Sequence, residues 1–108
     1  MATESAQGVS LEAFERLPRA SRLFVSYSLW LDRRQLPVVK RDRDADALLR
    51  LGWLDKKPSL NSSIVVLEWK EPVWEALGKL REAILGAVTE AQMTAYRKRK
   101  NASYPWVL

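Results

Sequence analysis

Apolar residues in the first third of the chain recur at helical spacing. Ser10 can cap a short helix that runs through Arg16, and Pro18 suits the first turn of a second helix. Burying the apolar side chains of this second helix would contribute about 2 kcal/mol each before entropy is subtracted. We therefore expect the second helix to be central to the core. Its stripe lies at i, i+1, i+4, i+7 and i+8 and comprises Leu23, Phe24, Tyr27, Trp30 and Leu31.

The next segment predicts a strand followed by a short helix. The run from Leu36 to Val39 is apolar and partly β-branched, and Pro37 within it indicates a sheet edge because proline cannot donate to a strand ladder. Asp42 or Asp44 can cap the helix that follows. Gly52 is then placed to end that helix in the left-handed conformation. The inward face of this helix comprises Ala45, Leu48, Leu49 and Leu51.

A β-hairpin follows. Trp53 and Leu54 begin a strand, residues 58–62 have polar turn chemistry, and residues 64–67 form the return strand. Helix, hairpin and then a further helix is the order of the back half of a winged helix. Residues 35–43 are too few to hold both the edge strand and the positioning helix of a helix-turn-helix. The pattern predicts a mainly helical α+β, winged-helix-like domain that has a wing but no clear positioning helix.

The last apolar stripe predicts one long C-terminal helix from Pro72 to about Arg99. At 1.5 Å per residue it would be roughly 40 Å long, which exceeds what a domain of this size can cover. We expect its distal part to project or to pack on another chain, which would make a homodimer. Gly78 and Gly86 weaken this helix, so either glycine marks close packing or a break. The stripe comprises Val73, Leu77, Leu80, Ile84, Val88, Ala91 and Ala95.

A length of 108 residues fits one domain. We predict a disordered N-terminus over residues 1–9, the winged-helix-like domain over residues 10–96, and a basic and aromatic tail over residues 97–108. No apolar run approaches the roughly 18 residues that cross a bilayer, and the N-terminus has no signal-peptide apolar region, which predicts a cytoplasmic location and no transmembrane segment.

Composition argues against catalysis. The chain has no cysteine and no histidine, so it lacks thiolate chemistry, the commonest general base and the commonest zinc ligand. It also has no glycine-rich phosphate loop and no serine in a nucleophile elbow. We therefore predict a non-enzymatic protein without a cofactor or a catalytic residue, although a metal site built from carboxylates alone is left open.

The net charge of +5 is unevenly distributed. Residues 97–100 hold four of the 18 basic residues, which leaves 14 bases against 13 acids in the rest of the chain. The predicted recognition helix begins with Asp42, Asp44 and Asp46, and carboxylates facing phosphates would be repelled. These acids are better explained as complementing the helix dipole and pairing with neighbouring arginines. The body of the protein is therefore nearly neutral, and its would-be recognition helix is poorly suited to the major groove of DNA.

Two groups of side chains are candidates for contact with a partner. Near the wing, Arg50, Lys56 and Lys57 are placed either to contact phosphates or to keep an edge strand soluble. The end of the chain mixes cations with aromatic side chains, which suits single-stranded bases, an anionic membrane surface or a groove on a partner protein. A solvated helix terminus is the alternative. This second group comprises Arg97, Lys98, Arg99, Lys100, Tyr104 and Trp106.

The tryptophans differ in their expected roles. Trp30 and Trp53 lie on apolar faces and are predicted to be core residues. Trp69 and Trp74 flank Pro72, where they either staple the last strand to the following helix or offer an aromatic anchor to a partner.

Three segments carry a resemblance to a known family: LPRASRLFVSYSLWLDRRQLPVV, DADALLRLGWL and IVVLEWKEPVWEAL, which lie between Leu17 and Leu77. Their order resembles the cytosolic C-terminal domain of the phage superinfection exclusion protein B family. The resemblance implies a phage or prophage protein that interferes with another phage or a host process through protein contacts. Members of that family carry N-terminal membrane helices, which this sequence does not contain, and the family supplies no catalytic residues.

Together these features favour a small interaction module that binds a host or phage protein, in host takeover or counter-defence. The alternative is a regulator that binds DNA or RNA through the wing and the basic cluster at residues 97–100.

Overall fold

Helices pack against one face of a small sheet in this protein. The computed structural model describes residues 8–39, 42–60 and 63–103. It has the mainly helical α+β fold that the sequence predicts, with a wing-like hairpin after the short third helix. In chain order the elements are α1 (Leu11–Glu15), α2 (Arg19–Leu31), β1 (Gln35–Val39), a 3₁₀ turn (Arg43–Ala45), α3 (Asp46–Arg50), β2 (Leu54–Pro58), β3 (Ile64–Trp69), α4 (Glu71–Lys79), α5 (Arg81–Gly86) and α6 (Glu90–Ser103).

None of the helices described is long and apolar enough to cross a membrane.

The three strands form an antiparallel sheet in the order β1-β3-β2. Leu36 lies opposite Leu67 and Val38 lies opposite Val65, and these four side chains are buried. The sheet therefore turns one face towards the core, with the alternation expected of a half-covered antiparallel sheet. β1 lies at an edge, as Pro37 predicted.

Local capping explains where α1 and α3 begin and end. The Ala13 N–H donates to Ser10 Oγ at 3.0 Å, which confirms the predicted cap of α1. Gly52 has a φ of +79°, and its N–H donates to the Leu49 carbonyl at 3.1 Å. The Trp53 N–H donates to the Leu48 carbonyl at 3.0 Å, which completes a Schellman motif at the end of α3.

Helix α2 is central to the core, as predicted. Phe24, Val25 and Leu29 are buried, and the Phe24 and Trp69 ring centroids are 6.1 Å apart. Trp53 is also buried, as predicted. Trp30 is only half-buried, and it packs beside a second apolar cluster formed by Tyr27, Met93 and Tyr96. Because one side of α2 faces the sheet and another faces α6, its apolar stripe contributes to two clusters.

The prediction of one long C-terminal helix is wrong, because the chain breaks twice. α4 ends at Leu80, whose backbone has a φ of −100° and a ψ of 4°, and α5 ends before residues 87–89. The Gln92 N–H then donates to Thr89 Oγ1 at 3.1 Å, while the Thr89 N–H donates to Gln92 Oε1 at 2.8 Å. This capping box starts α6 as a separate helix.

Helix α6 folds back on the domain instead of projecting. Met93 and Tyr96 are buried against α2, and the whole described chain measures 39 × 31 × 21 Å. A Cβ atom added at Gly78 or Gly86 would meet no atom within 4 Å, so close packing does not explain either glycine.

The structure bears differently on the two predicted domain boundaries, at residues 9–10 and at residues 96–97. Residues 97–100 lie inside α6 and not in a tail that follows the domain. Tyr104 and Trp106 lie outside the described residues, as do residues 1–7 of the predicted disordered N-terminus. Val9 is half-buried and packs against the core.

Candidate functional site

A buried charge cluster formed by Asp42, Asp44, Tyr96 and Lys100 attaches α6 to the turn before α3. Lys100 Nζ lies 2.8 Å from Asp42 Oδ2 and 2.9 Å from Asp44 Oδ2. The Tyr96 hydroxyl donates to Asp44 Oδ2 at 2.6 Å. Lys100 is 9% exposed and Asp42 is 7% exposed. Lys100, a candidate partner contact in the sequence, is therefore occupied within the chain.

The cluster also explains Asp42 and Asp44, two of the three aspartates at the start of the predicted recognition helix. Asp42 Oδ1 accepts a hydrogen bond from the Asp44 N–H at 2.9 Å, so Asp42 caps the 3₁₀ turn. Among the described residues, the cation that pairs with Asp42 and Asp44 is Lys100, from a distant part of the chain. Ser21 of α2 donates to the Asp44 carbonyl at 2.8 Å, so the turn contacts both α2 and α6.

Burial dominates the electrostatics of Tyr96. Desolvation and the hydrogen bond to the Asp44 carboxylate raise the pKa of Tyr96 far above its ordinary value. The phenol therefore stays protonated in the folded state and keeps donating to Asp44.

The remaining cations of the basic cluster, Arg97, Lys98 and Arg99, form what we call the α6 cation face. The Arg97 guanidinium lies 5.5 Å from the centroid of the Trp30 ring, and that of Arg99 lies 5.0 Å from the centroid of the Tyr96 ring. Lys98 is exposed. Across residues 8–39, 42–60 and 63–103, no carboxylate forms an ion pair with any of the three. Their charge is available to a partner.

The aromatic side chains beside this face already contact one another. The Tyr27 and Trp30 rings stack with centroids 6.2 Å apart, and Tyr96 meets Tyr27 edge-on at 5.0 Å. Burial raises the pKa of Tyr27, and the nearby Arg97 guanidinium opposes that rise.

A groove runs between α2 and α6, and we call it the helix groove. Its larger lobe has a volume of about 140 Å³ and an apolar wall that includes Phe14, Ile84 and Val88. The smaller lobe, of about 120 Å³, shares Arg19, Leu23 and Gln92 with the larger one and extends to Tyr96 and Arg99. The polar residues that line the larger lobe are Arg19, Arg22, Ser26 and Gln92.

These polar side chains present hydrogen-bond donors to the groove. Arg22 Nη1 donates to the Leu17 carbonyl at 2.6 Å, and its guanidinium has further N–H groups. Gln92 Oε1 accepts from Thr89, which leaves its amide NH₂ to donate. Ser26 is 1% exposed, and within the part of the chain that the structure describes its hydroxyl has no hydrogen-bond partner.

Sequence reasoning missed this groove, although signals for it exist. Arg19, Arg22 and Ser26 fall at i, i+3 and i+7, which places them on one side of a helix. Thr89 and Gln92 have the spacing of a capping box, which indicates where α6 begins. The apolar periodicity that continues from Val73 to Ala95 obscured that start.

At the wing, the candidate cations have different environments. Lys57 pairs with Glu68 on β3, which also accepts from Gln35 Nε2 at 3.1 Å. The contact with Lys57 is the main reason that the pKa of Glu68 lies below its ordinary range. Arg50 and Lys56 are exposed, and no described carboxylate forms an ion pair with them.

The two tryptophans that flank Pro72 staple β3 to α4. The Trp69 and Trp74 rings stack with centroids 6.2 Å apart at an interplanar angle of 27°. Trp69 is fully buried, so it cannot serve as an exposed anchor, and Trp74 is half-buried.

Searches against protein families, curated proteins and solved structures found no match. The resemblance to the superinfection exclusion protein B family stays a prediction from the sequence. Among the described residues, no three acidic side chains come together as a group that could hold a metal ion. The charges and contacts of the α6 cation face and the helix groove are therefore the main guide to function.

Proposed function

We propose that this chain is a non-enzymatic interaction module that binds an acidic surface of a partner protein through the α6 cation face. The observation that carries the proposal is that Arg97, Lys98 and Arg99 have no carboxylate partner among the described residues. They lie on helix α6, which is attached to the rest of the domain by the ion pairs of Lys100 with Asp42 and Asp44. Arginine suits this role because its planar fork binds carboxylates with two parallel hydrogen bonds.

A protein partner is favoured over a nucleic acid by the state of the aromatic rings. Binding of single strands relies on aromatic faces on which bases stack. Trp30 already stacks on Tyr27 and lies under Arg97, and Tyr96 is buried. Lys100 contributes little charge to the outside because it pairs with two aspartates.

The biological process is proposed on the resemblance of residues 17–77 alone. On that basis the partner is a host or phage protein whose activity is blocked, in superinfection exclusion, host takeover or counter-defence within the cytoplasm. A homodimer also stays a proposal. It would need a surface other than Met93 and Tyr96, because both pack against α2 within the chain.

The test is a comparison of two triple variants with matched loss of charge. In the first, Arg97→Gln, Lys98→Gln and Arg99→Gln remove the α6 cation face. In the second, Arg50→Gln, Lys56→Gln and Lys79→Gln remove three cations from the wing and α4. Each variant is used as bait for capture from lysate, with mass spectrometry of the retained proteins and light scattering of the bait.

We expect one protein to be retained by the wild type and the second variant and to be lost with the first. Equal loss with both variants would mean that only net charge matters, and loss with the second alone would make the wing the binding site. Either result contradicts the proposal, as does a strict monomer that retains no protein.

The nucleic-acid alternative has a separate test in the salt dependence of binding to duplex and single-stranded DNA. If each of the three cations contacted one phosphate of duplex DNA, log affinity would fall with log salt at a slope of about −0.9 per contact, or about −2.7 in total. If affinity at about 150 mM salt is no better than roughly 10⁻⁴ M for either form, this alternative fails. Point variants are needed because a truncation after Tyr96 would also remove Lys100.

A further inference from the structure

We propose that the helix groove binds the carboxylates of an acidic peptide segment in the partner. This inference rests on the proposed function, because it assumes that the partner is a protein, and it adds an adjoining site with a stated ligand chemistry, which shares Arg99 with the α6 cation face. The α6 cation face attracts an acidic surface, whereas the groove receives individual side chains of that surface.

The first argument is the chemistry of the lining. Arg19, Arg22 and Gln92 offer N–H donors, and no acidic residue lines either lobe. A site whose N–H donors face no carboxylate suits a ligand that is rich in hydrogen-bond acceptors. An ionised carboxylate is such a ligand, because it only accepts hydrogen bonds. Charge-assisted hydrogen bonds of this type are about twice as strong as neutral ones.

The second argument is Ser26. Three serines of α2 are buried, and two of them are satisfied: Ser21 donates to the Asp44 carbonyl and Ser28 to the Phe24 carbonyl. Of these three serines, only Ser26 has a hydroxyl without a partner among the described residues, and Ser26 lines the groove. A buried polar group without a partner costs about 1–3 kcal/mol, so a ligand that accepts from it restores a lost interaction.

The third argument is size and shape. A dry cavity of about 150 Å³ is large enough to hold benzene, and the larger lobe of about 140 Å³ therefore has room for an aspartate or glutamate side chain. Its apolar wall suits the methylene groups of such a side chain or an apolar neighbour. The second lobe, with Arg99, accommodates the next acidic side chain of an extended segment. A free phosphate would leave the apolar wall uncovered.

The probe is a short labelled peptide of alternating glutamate and leucine. The control is the same peptide with glutamine in place of glutamate. Binding to the full chain is followed by fluorescence anisotropy. We expect the glutamine peptide to bind at least about tenfold more weakly, because it lacks the charge-assisted hydrogen bonds.

Variants of the protein test which residues of the groove bind the peptide. Arg19→Gln should weaken binding of the glutamate peptide about tenfold, and Ser26→Ala should weaken it about threefold. Lys79→Gln, which removes one exposed cation from α4, should leave binding unchanged.

The Tm of the Ser26→Ala variant independently checks that this variant folds. Removing an unpaired buried hydroxyl should raise the Tm, so this variant should be more stable and yet bind the peptide less well. A lower Tm would indicate that the hydroxyl has a structural partner and would overturn this part of the proposal.

Several results overturn the inference. One is peptide binding that Arg19→Gln and Ser26→Ala leave intact. Displacement of the peptide by inorganic phosphate at equal concentration would indicate a small-anion site, and displacement by oligothymidine would indicate a nucleic-acid site. If partner capture depends on the α6 cation face but not on Arg19 or Ser26, the groove fails and the proposed function stands. If the α6 cation face is dispensable too, both fail.

Discussion

Adjacent cations of helix α6 have opposite environments. Lys100 is buried against Asp42 and Asp44, whereas Arg97, Lys98 and Arg99 meet no carboxylate among the described residues. The four are consecutive, so composition alone treats them as one basic cluster. The phase of the helix puts Lys100 on the same side as Tyr96, four residues earlier, and puts Lys98 on the opposite side, with Arg97 and Arg99 between these two sides.

The same contrast distinguishes the two sites that α6 helps to build. In the buried charge cluster, the Lys100 ammonium meets the carboxylates of Asp42 and Asp44, and the Tyr96 phenol donates to Asp44. In the helix groove, the donors of Arg19, Ser26 and Gln92 have no matching acceptor in the lining. The first arrangement stabilises the fold, and the second provides the chemistry for a ligand.

The largest expected effect comes from Lys100→Met. Removing one partner of a buried ion pair leaves uncompensated charge, which typically costs about 3–5 kcal/mol. We expect a loss of about 3 kcal/mol in the free energy of unfolding, measured by urea denaturation. The control Lys98→Met on the same helix should change stability by no more than about 0.5 kcal/mol. Equal effects at the two positions would remove the distinction between structural and available cations.

Tyr96→Phe should cost about 1–2 kcal/mol, because it removes a hydrogen bond to a carboxylate while Lys100 still neutralises Asp44. The role of the Tyr96 hydroxyl can be recognised from how the free energy of unfolding responds to alkaline pH. Since the pKa of Tyr96 is raised on folding, the unfolded chain loses this proton above about pH 10 while the folded chain keeps it. Stability conferred by Tyr96 is complete below that pH and falls by about 1.4 kcal/mol per pH unit above it.

Urea midpoints of wild type and Tyr96→Phe between pH 8 and about pH 11 isolate this proton from the other titrating groups. The variant should lack the extra alkaline loss. Parallel profiles would mean that the Tyr96 phenol is not held protonated against Asp44.

Thr89→Ala tests whether the capping box sets the start of α6. Loss of an N-cap side chain typically costs about 1 kcal/mol. Thr94→Ala, at an exposed position inside the same helix, should not destabilise the protein, because alanine is the better helix former. Thermal unfolding of both variants followed by circular dichroism makes the comparison, and equal melting temperatures would argue against a role for the cap.

The smallest effect is expected from Gly78→Ala, on α4. An added Cβ meets no atom within 4 Å, so the substitution should stabilise the protein by about 0.5–1 kcal/mol. In a double variant with Lys100→Met, the two effects should add within about 0.5 kcal/mol, because the sites share no partner. Strong non-additivity in guanidinium denaturation would show that the helix breaks and the buried charge cluster are coupled.

Local elements could be predicted because their chemistry is local. The Ser10 cap and the Gly52 end of α3 each depend on residues within a few positions of one another, and the edge position of β1 is signalled by Pro37 within the strand itself. The long helix was mispredicted because apolar spacing continues across Leu80 and residues 87–89, where the backbone leaves the helix. The cap at Thr89 was present in the sequence but is a weaker pattern than the stripe.

By itself the sequence determined the mainly helical α+β class, the order of most elements, and the presence of an uneven basic charge near residues 97–100. Only the tertiary structure decided which of those cations is structural. Lys100 pairs with Asp42, which lies 58 residues earlier in the chain. This ion pair depends on where α6 begins and on which side of α2 is packed against α6. The helix groove arises in the same way, because its donors come from helices that no local pattern brings together.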